Sequence, residues 1–124
     1  MIFGIGTDIT KVSRFKKWVE NPDILERFFN KAELMQNGTV QARCEHYAVR
    51  FAAKEAFSKA IGTGIIGFSL KDVYIENEPS GKPFIVVENS ALSVLNERCG
   101  NCKIHVSLSH EKEFANAFVI IEKE

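Results

Sequence analysis

Residues 2–9, Ile-Phe-Gly-Ile-Gly-Thr-Asp-Ile, alternate along their length. Phe3, Ile5, Thr7 and Ile9 fall on one side of an extended chain, and Ile2, Gly4, Gly6 and Asp8 on the other. Successive side chains of a strand point to opposite faces, so this segment predicts a strand with one face emptied. Two glycines below Asp8 leave room for something to lie against the backbone. An acid closing a first strand serves equally well as a turn or helix-start residue, so Asp8 alone decides nothing.

The remaining segments supply what such a strand needs to pack against. Thr10 is placed to cap a helix through Val19, with Val12, Phe15, Trp18 and Val19 on one face. Asn21-Pro22-Asp23 ends it, and Asp23 caps a second helix through Phe29. Lys31 to Gly38 reads as a turn or short helix. The longest helix is expected over residues 41–61, with Val49, Ala53, Ala56, Phe57 and Ala60 as its apolar stripe and Gly62 just beyond its end. Residues 73–76 and 84–87 read as strands joined through Pro79-Ser80-Gly81-Lys82-Pro83. Ser90 caps a helix through Cys99, closed by Gly100, and residues 103–109 and 114–122 form a hairpin around His110-Glu111-Lys112-Glu113. Helical and hairpin regions that stay separate along the chain predict an α+β domain and not a doubly wound one. No repeat, linker or biased tract interrupts residues 1–124, so a single domain is expected.

Composition narrows the function classes. Apolar residues make up 45% and charged residues 26%, the balance of a folded soluble chain. No apolar run approaches the roughly 20 residues that span a bilayer. Met1 to Ile9 lacks the basic start and cleavage site of a signal peptide. Sixteen basic and sixteen acidic side chains cancel, so no global field favours nucleic acid or an anionic membrane. Cys44, Cys99 and Cys102 are odd in number, which predicts a reducing cytoplasm. The Cys99-Gly100-Asn101-Cys102 spacing fits a redox or zinc half-site. A second ligand pair is missing, however, and Gly100 closes a helix where a thioredoxin-like site would open one. No cysteine site is expected.

Four constellations carry chemistry. Asp8 is the first. The second is Arg50-Phe51-Ala52-Ala53-Lys54-Glu55-Ala56-Phe57-Ser58-Lys59. Glu55 and Lys59, four apart, project from one helical face that also holds Ala48, Phe51 and Ala52, so that face is partly apolar. An ordinary surface pair is the plain alternative, worth roughly 0.3–0.5 kcal/mol. Arg50, Lys54 and Lys59 are expected to gather positive charge around the one carboxylate. Magnesium takes hard oxygen ligands, typically one or two carboxylates plus substrate phosphate, and the basic residues suit the remaining phosphate oxygens. The third is Gly62-Thr63-Gly64, where exposed amides can approach phosphate, although a helix cap explains Gly62 as well and the order is not that of a P-loop. The fourth is Ser107-Leu108-Ser109-His110. It lacks a nucleophile-elbow sequence, and His110 reads first as a hydrogen-bonding histidine and next as a phosphate contact.

In order and spacing these segments resemble the holo-acyl-carrier-protein synthases, the short group of the 4'-phosphopantetheinyl transferases. Gly4-Ile5-Gly6-Thr7-Asp8-Ile9 with Arg14 resembles the opening motif of that family, and Arg50 through Gly64 its central one. Gly81-Lys82-Pro83 and His105 through His110, followed by Ala115 and Ala117, resemble its later motifs. The resemblance implies an antiparallel sheet packed against a long helix and shorter helices. It implies transfer of the phosphopantetheine arm of coenzyme A to a serine of an apo-acyl carrier protein, releasing adenosine 3',5'-bisphosphate, in support of fatty acid biosynthesis. Asp8 and Glu55 would hold magnesium, and Lys59 would compensate charge on the pyrophosphate and protonate the departing group. Coenzyme A contacts would come from Ser58 and Gly62, Thr63 and Gly64 at the phosphates, Arg50 and His110 at the 3'-phosphate, and Lys82 and Pro83 near the nucleotide. Glu55, Asp8 or a water on the metal stays open as the base for the serine proton.

The family resemblance further implies a homotrimer with sites shared between neighbours, and carrier docking through Arg14, Lys17 and Arg27. Glu20, Asp23 and Glu26 interrupt the positive run that this family favours there. Two rival readings remain from the residues: another metal-dependent enzyme cleaving a nucleotide pyrophosphate, and a non-catalytic trimeric module for acidic partners. Pantetheine phosphate released without any modified protein marks the first. Carrier binding indifferent to magnesium and coenzyme A marks the second.

Overall fold

A 22-residue helix, α3 (Val40–Ile61), forms the axis of the computed structural model, which describes residues 1–124. Thr39 closes its start, its hydroxyl accepting from the Ala42 amide at 3.0 Å. Gly62 ends it at φ +87°, a left-handed conformation that costs a β-carbon-bearing residue strain. The expected stripe Val49, Ala53, Ala56, Phe57 and Ala60 is buried throughout.

Against α3 lies a three-stranded antiparallel sheet in the order β1 (Ile2–Lys11), β5 (Phe114–Lys123), β4 (Cys102–His110). The bare face of β1 is where the helix enters. A β-carbon on Gly4 would stand 1.9 Å from the Ala60 carbonyl oxygen, and one on Gly6 would stand 1.8 Å from that of Ala56. Both glycines and the small α3 side chains are thus one device, which lets helix backbone rest on strand backbone. Ala117, Val119 and Ile121 of β5 fill the rest of this contact.

A hairpin of β2 (Val73–Asn77) and β3 (Pro83–Val87) and the helix α4 (Asn89–Arg98) complete that core through Val73, Ile75, Ala91 and Leu95. A second apolar cluster covers the first half of α3. Val12 and Phe15 come from a 3-10 turn (Val12–Phe15), Val19 from α1 (Lys16–Val19) and Leu25 from α2 (Pro22–Phe28), with Phe29 just beyond it. They pack on Cys44, Tyr47, Ala48 and Phe51. No helix is long and apolar enough to cross a membrane. The α+β arrangement matches the sequence expectation, including the sheet packed on the long helix.

Several local expectations are corrected. β1 continues to Lys11, so Thr10 is a buried strand residue and not a helix cap, and the 12–19 segment begins as a 3-10 turn. A bulge between Ile2 and Gly4 breaks the alternation and turns Phe3 toward the core, away from the side of Ile5. α2 is capped by Asn21, whose side chain accepts from the Asp23 amide at 3.2 Å, with Pro22 at the first helical position. Ser90 lies inside α4. Asp72 accepts its amide and its hydroxyl and so caps the helix from outside the segment. All three cysteines are free thiols, with Cys44 and Cys99 buried.

Candidate active site

Asp8 leaves β1 on the face that meets α3, two residues past Gly6, and its side chain is only 16% exposed. Three neighbours fix it. Thr10 donates its hydroxyl to Asp8 Oδ2 at 3.0 Å, Lys59 Nζ approaches Oδ1 at 3.2 Å, and Asn116 Nδ2 donates to the Asp8 carbonyl at 3.1 Å. Lys59 Nζ also donates to the Thr7 carbonyl at 2.9 Å. The glycine contact between β1 and α3 brings these groups together, because it carries the outward turn of α3 at Glu55 and Lys59 up to the strand end.

Glu55, half-buried one helical turn before Lys59, makes no hydrogen bond through its carboxylate within the chain. Burial pushes its pKa above the usual carboxylate value, and the negative charge of Asp8 pushes it further. Lys59 and Arg14 act in the opposite sense. Glu55 therefore senses the charge of Asp8 across the site. Arg14 reaches this site from the 3-10 turn. Its guanidinium stands 5.0 Å from the centre of the Phe51 ring and 5.9 Å from that of Trp18, which hold it over the helix face that bears Glu55.

The expected gathering of Arg50 and Lys54 around Glu55 does not occur. Lys54 is buried and donates to Glu33 Oε1 at 2.7 Å, to the Leu70 carbonyl at 3.0 Å and to the Val73 carbonyl at 2.6 Å. Burial lowers its pKa while Glu33 raises it. Glu33 in turn accepts from the Asn30 and Ile75 amides. One step along a helix turns a side chain by about 100°, so adjacent residues 54 and 55 face different layers. Arg50 lies on the Lys54 side, donating to the His46 carbonyl at 3.2 Å, and its Nε is buried without a partner.

The other expected contacts are dispersed. The Ser58 hydroxyl is buried and donates to the Glu55 carbonyl at 2.6 Å. Gly62 and Gly64 both donate their amides to the Ser58 carbonyl, at 3.1 and 3.2 Å, and Thr63 donates its hydroxyl to the Gly64 carbonyl. His110 ends β4 with Nδ1 at 2.8 Å from Glu45 Oε1, more than two turns of α3 before Glu55. Lys82 and Pro83 line a cavity of about 240 Å³ with Glu78, Phe84, Ile104, His105 and Val106, against β4. Arg14, Lys17 and Arg27 are exposed along the 12–28 segment, and Trp18 and Phe28 are half-buried beside each other with ring centres 5.3 Å apart. Asn116 and Glu33 were not singled out by the sequence, and Thr10 was read there only as a helix cap. Thr10 was legible as a hydroxyl two residues from Asp8 on the same strand face.

Known proteins are similar to this chain over its length. A profile of the 4'-phosphopantetheinyl transferase superfamily matches residues 4–119. The holo-[acyl-carrier-protein] synthase of Treponema denticola is 49% identical over 98% of this chain and 99% of its own length. That of Clostridium kluyveri is 41% identical over 98% of this chain and 91% of its own. Among solved structures, the holo-[acyl-carrier-protein] synthase of Neisseria meningitidis superimposes with a TM-score of 0.86 at 36% identity, covering 99% of this chain and 100% of that one. A holo-(acyl-carrier-protein) synthase from Bacillus anthracis, solved in complex with CoA (3',5'-ADP), gives 0.79 at 36% identity, covering 100% and 99%. With the profile spanning nearly the whole sequence and relatives aligned end to end, the chain belongs to the 4'-phosphopantetheinyl transferase superfamily.

Proposed function

We propose that this protein transfers the 4'-phosphopantetheine arm of coenzyme A to a serine of an apo-acyl carrier protein, releasing adenosine 3',5'-bisphosphate. The observation that carries this reading is the pair of partly buried carboxylates, Asp8 and Glu55, whose charges oppose each other at the strand–helix contact beside Lys59 and Arg14. Relatives across the chain's full length bear the same activity in their names.

The donor set suits magnesium. Two carboxylates with no further His, Cys, Asp or Glu completing a cluster leave most octahedral positions to water and phosphate oxygens, as this ion prefers. Asp8 and Glu55 would hold it, and when bound it supplies positive charge to the diphosphate being cleaved. The chain's own groups do the remainder. Thr10 and Lys59 hold the two Asp8 oxygens in fixed directions. Lys59, with its side chain 52% exposed, presents its third N–H bond to solvent and so to a phosphate oxygen, and it is placed to give a proton to the departing bisphosphate. Arg14 sits at the rim, where it compensates charge at Glu55 and meets an incoming acidic surface together with Lys17 and Arg27. Phosphoryl transfer rests mainly on such positioning and charge stabilisation, and it requires no covalent nucleophile from the protein.

The working form is a homotrimer in this reading. On the sheet face away from α3, Ile5, Ile9 and Phe118 are 62%, 66% and 50% exposed. Pairing of Ile5 with Ile120 and of Thr7 with Phe118 gathers these residues into one patch. A contiguous apolar surface of this kind marks an interface. The dispersal of Lys82 and Pro83 along β4, the sheet edge opposite the Asp8 strand, supports a coenzyme A site completed by a neighbouring copy.

Mass spectrometry of an apo-carrier incubated with the protein, coenzyme A and magnesium tests the activity. The carrier should gain one phosphopantetheine group. No gain with several carriers would overturn the reading, and pantetheine phosphate appearing free in solution would favour a nucleotide pyrophosphate-cleaving enzyme instead.

A further inference from the structure

The Gly62–Gly64 turn is the part of the site expected to meet the diphosphate, yet of its own donors only the Thr63 amide is free. The amides of Gly62 and Gly64 both point to the Ser58 carbonyl, the Thr63 hydroxyl to the Gly64 carbonyl, and the Ser58 hydroxyl to the Glu55 carbonyl. The turn also follows the carboxyl end of α3, where the last carbonyls carry partial negative charge and repel an anion. One free amide does not offset those carbonyls, so an anion resting there calls for a cation from another element.

Arg98, the last residue of α4, is that cation. Its Nε donates to the Ile61 carbonyl at 2.9 Å, a contact between residues 37 apart in sequence. Its Nη2 lies 3.2 Å from the point where a β-carbon on Gly62 would stand. The Nε bond neutralises one carbonyl of the helix end and fixes the plane of the guanidinium against the turn. Nη1 and Nη2 have no hydrogen-bond or ion-pair partner within the chain, and the residue is exposed. Two free N–H edges of an anchored guanidinium present the fork that suits phosphate oxygens. Gly62, having no side chain, leaves the approach to Nη2 open.

We propose that Arg98 is a binding residue for the diphosphate of coenzyme A, held beside the Gly62–Gly64 turn; this rests on the functional reading above. A residue that only caps α3 would bond the Ile61 carbonyl in the same way, so the test must separate binding from stability.

Full-length wild type, Arg98→Gln and Arg98→Lys are compared by steady-state transfer, by calorimetric titration with coenzyme A and with dephospho-coenzyme A, and by thermal melts. Dephospho-coenzyme A keeps the diphosphate and lacks the 3'-phosphate. Arg98→Gln is expected to lower kcat/KM for coenzyme A about tenfold, almost wholly through KM, with an equal loss of affinity for both ligands. The Lys variant keeps the charge without the fork and should recover part of that loss. Unchanged affinity in Arg98→Gln with only a lower Tm would overturn the proposal and leave a cap. So would a penalty confined to coenzyme A, which would place Arg98 at the 3'-phosphate. Wild type that neither binds coenzyme A nor modifies a carrier would overturn the functional reading itself, and with it this inference.

Discussion

Glu55 is a carboxylate held at a disadvantage. Burial and Asp8 both disfavour its charge, and no hydrogen bond within the chain compensates. Glu55→Gln removes that charge at nearly constant shape, so the variant should be more stable than wild type by up to about 1 kcal/mol while losing transfer. Thermal melts without divalent ions, run beside the transfer assay, check this. Destabilisation of Glu55→Gln would show that the acid serves the fold. Asp8, Glu55 and Lys59 were legible from residue type and spacing, because residues four apart on a helix share a face and an acid two past a glycine shares that strand face. The orientation of Arg50 and Lys54 was not legible as drawn. Both were counted by proximity in sequence, although one helical step separates Lys54 from Glu55 by about 100°. The ion pair with Glu33 that claims Lys54 joins residues 21 apart, and no local pattern signals it.

At the scale of elements, the contact of β1 with α3 positions everything else. Gly6→Ala would drive a methyl group into the Ala56 carbonyl, 1.8 Å away in the present geometry. It should destabilise by more than about 4 kcal/mol, read as loss of soluble folded protein by circular dichroism. A soluble variant with a native spectrum would mean that the helix can withdraw cheaply. The glycines were read from sequence as room for an occupant, and the occupant proves to be the chain's own helix. The Lys54–Glu33 clasp ties α3 to the turn at residues 31–33 that precedes it and, through the Ile75 amide, to β2, and Lys54→Met would leave a buried carboxylate unpaired. A loss of about 3–5 kcal/mol in urea unfolding is expected.

His46 acts within the same layer. Its Nε2 lies 2.6 Å from the Glu33 carbonyl, an acceptor, so that nitrogen carries the proton. Burial first, and then the charge of Arg50, lower its pKa from 6.5 to about 4. Between those values the unfolded chain binds a proton that the folded chain refuses. The stability His46 contributes is therefore present above pH 6.5 and lost as pH falls toward 4. His46→Gln should flatten the pH dependence of stability in that window. An unaltered slope would assign it to other groups.

For the whole molecule, two apolar clusters around one helix account for the fold, while the outer sheet face remains uncovered. Ile5 and Ile9 alternate as a buried strand would, and sequence alone could not say whether the chain or a neighbour covers them. Phe3 adds to this point. The bulge beside it breaks the alternation and sends Phe3 inward while Ile5 stays exposed. Phe118→Lys at the centre of that patch should shift sedimentation from trimer to monomer and cut transfer more than tenfold, because the Lys82 and Asp8 edges would no longer be joined by a neighbour. A fully active monomer would contradict a shared site.

For the proposed transfer, Asp8 and Glu55 must act jointly on one divalent ion. Manganese(II), a paramagnetic substitute for magnesium, allows that to be read without turnover. Titration followed by electron paramagnetic resonance in the presence of coenzyme A should give one tightly held ion per chain in wild type. Asp8→Asn and Glu55→Gln should each lose that ion while keeping a native circular dichroism spectrum. Undiminished manganese binding in either variant would contradict the shared site.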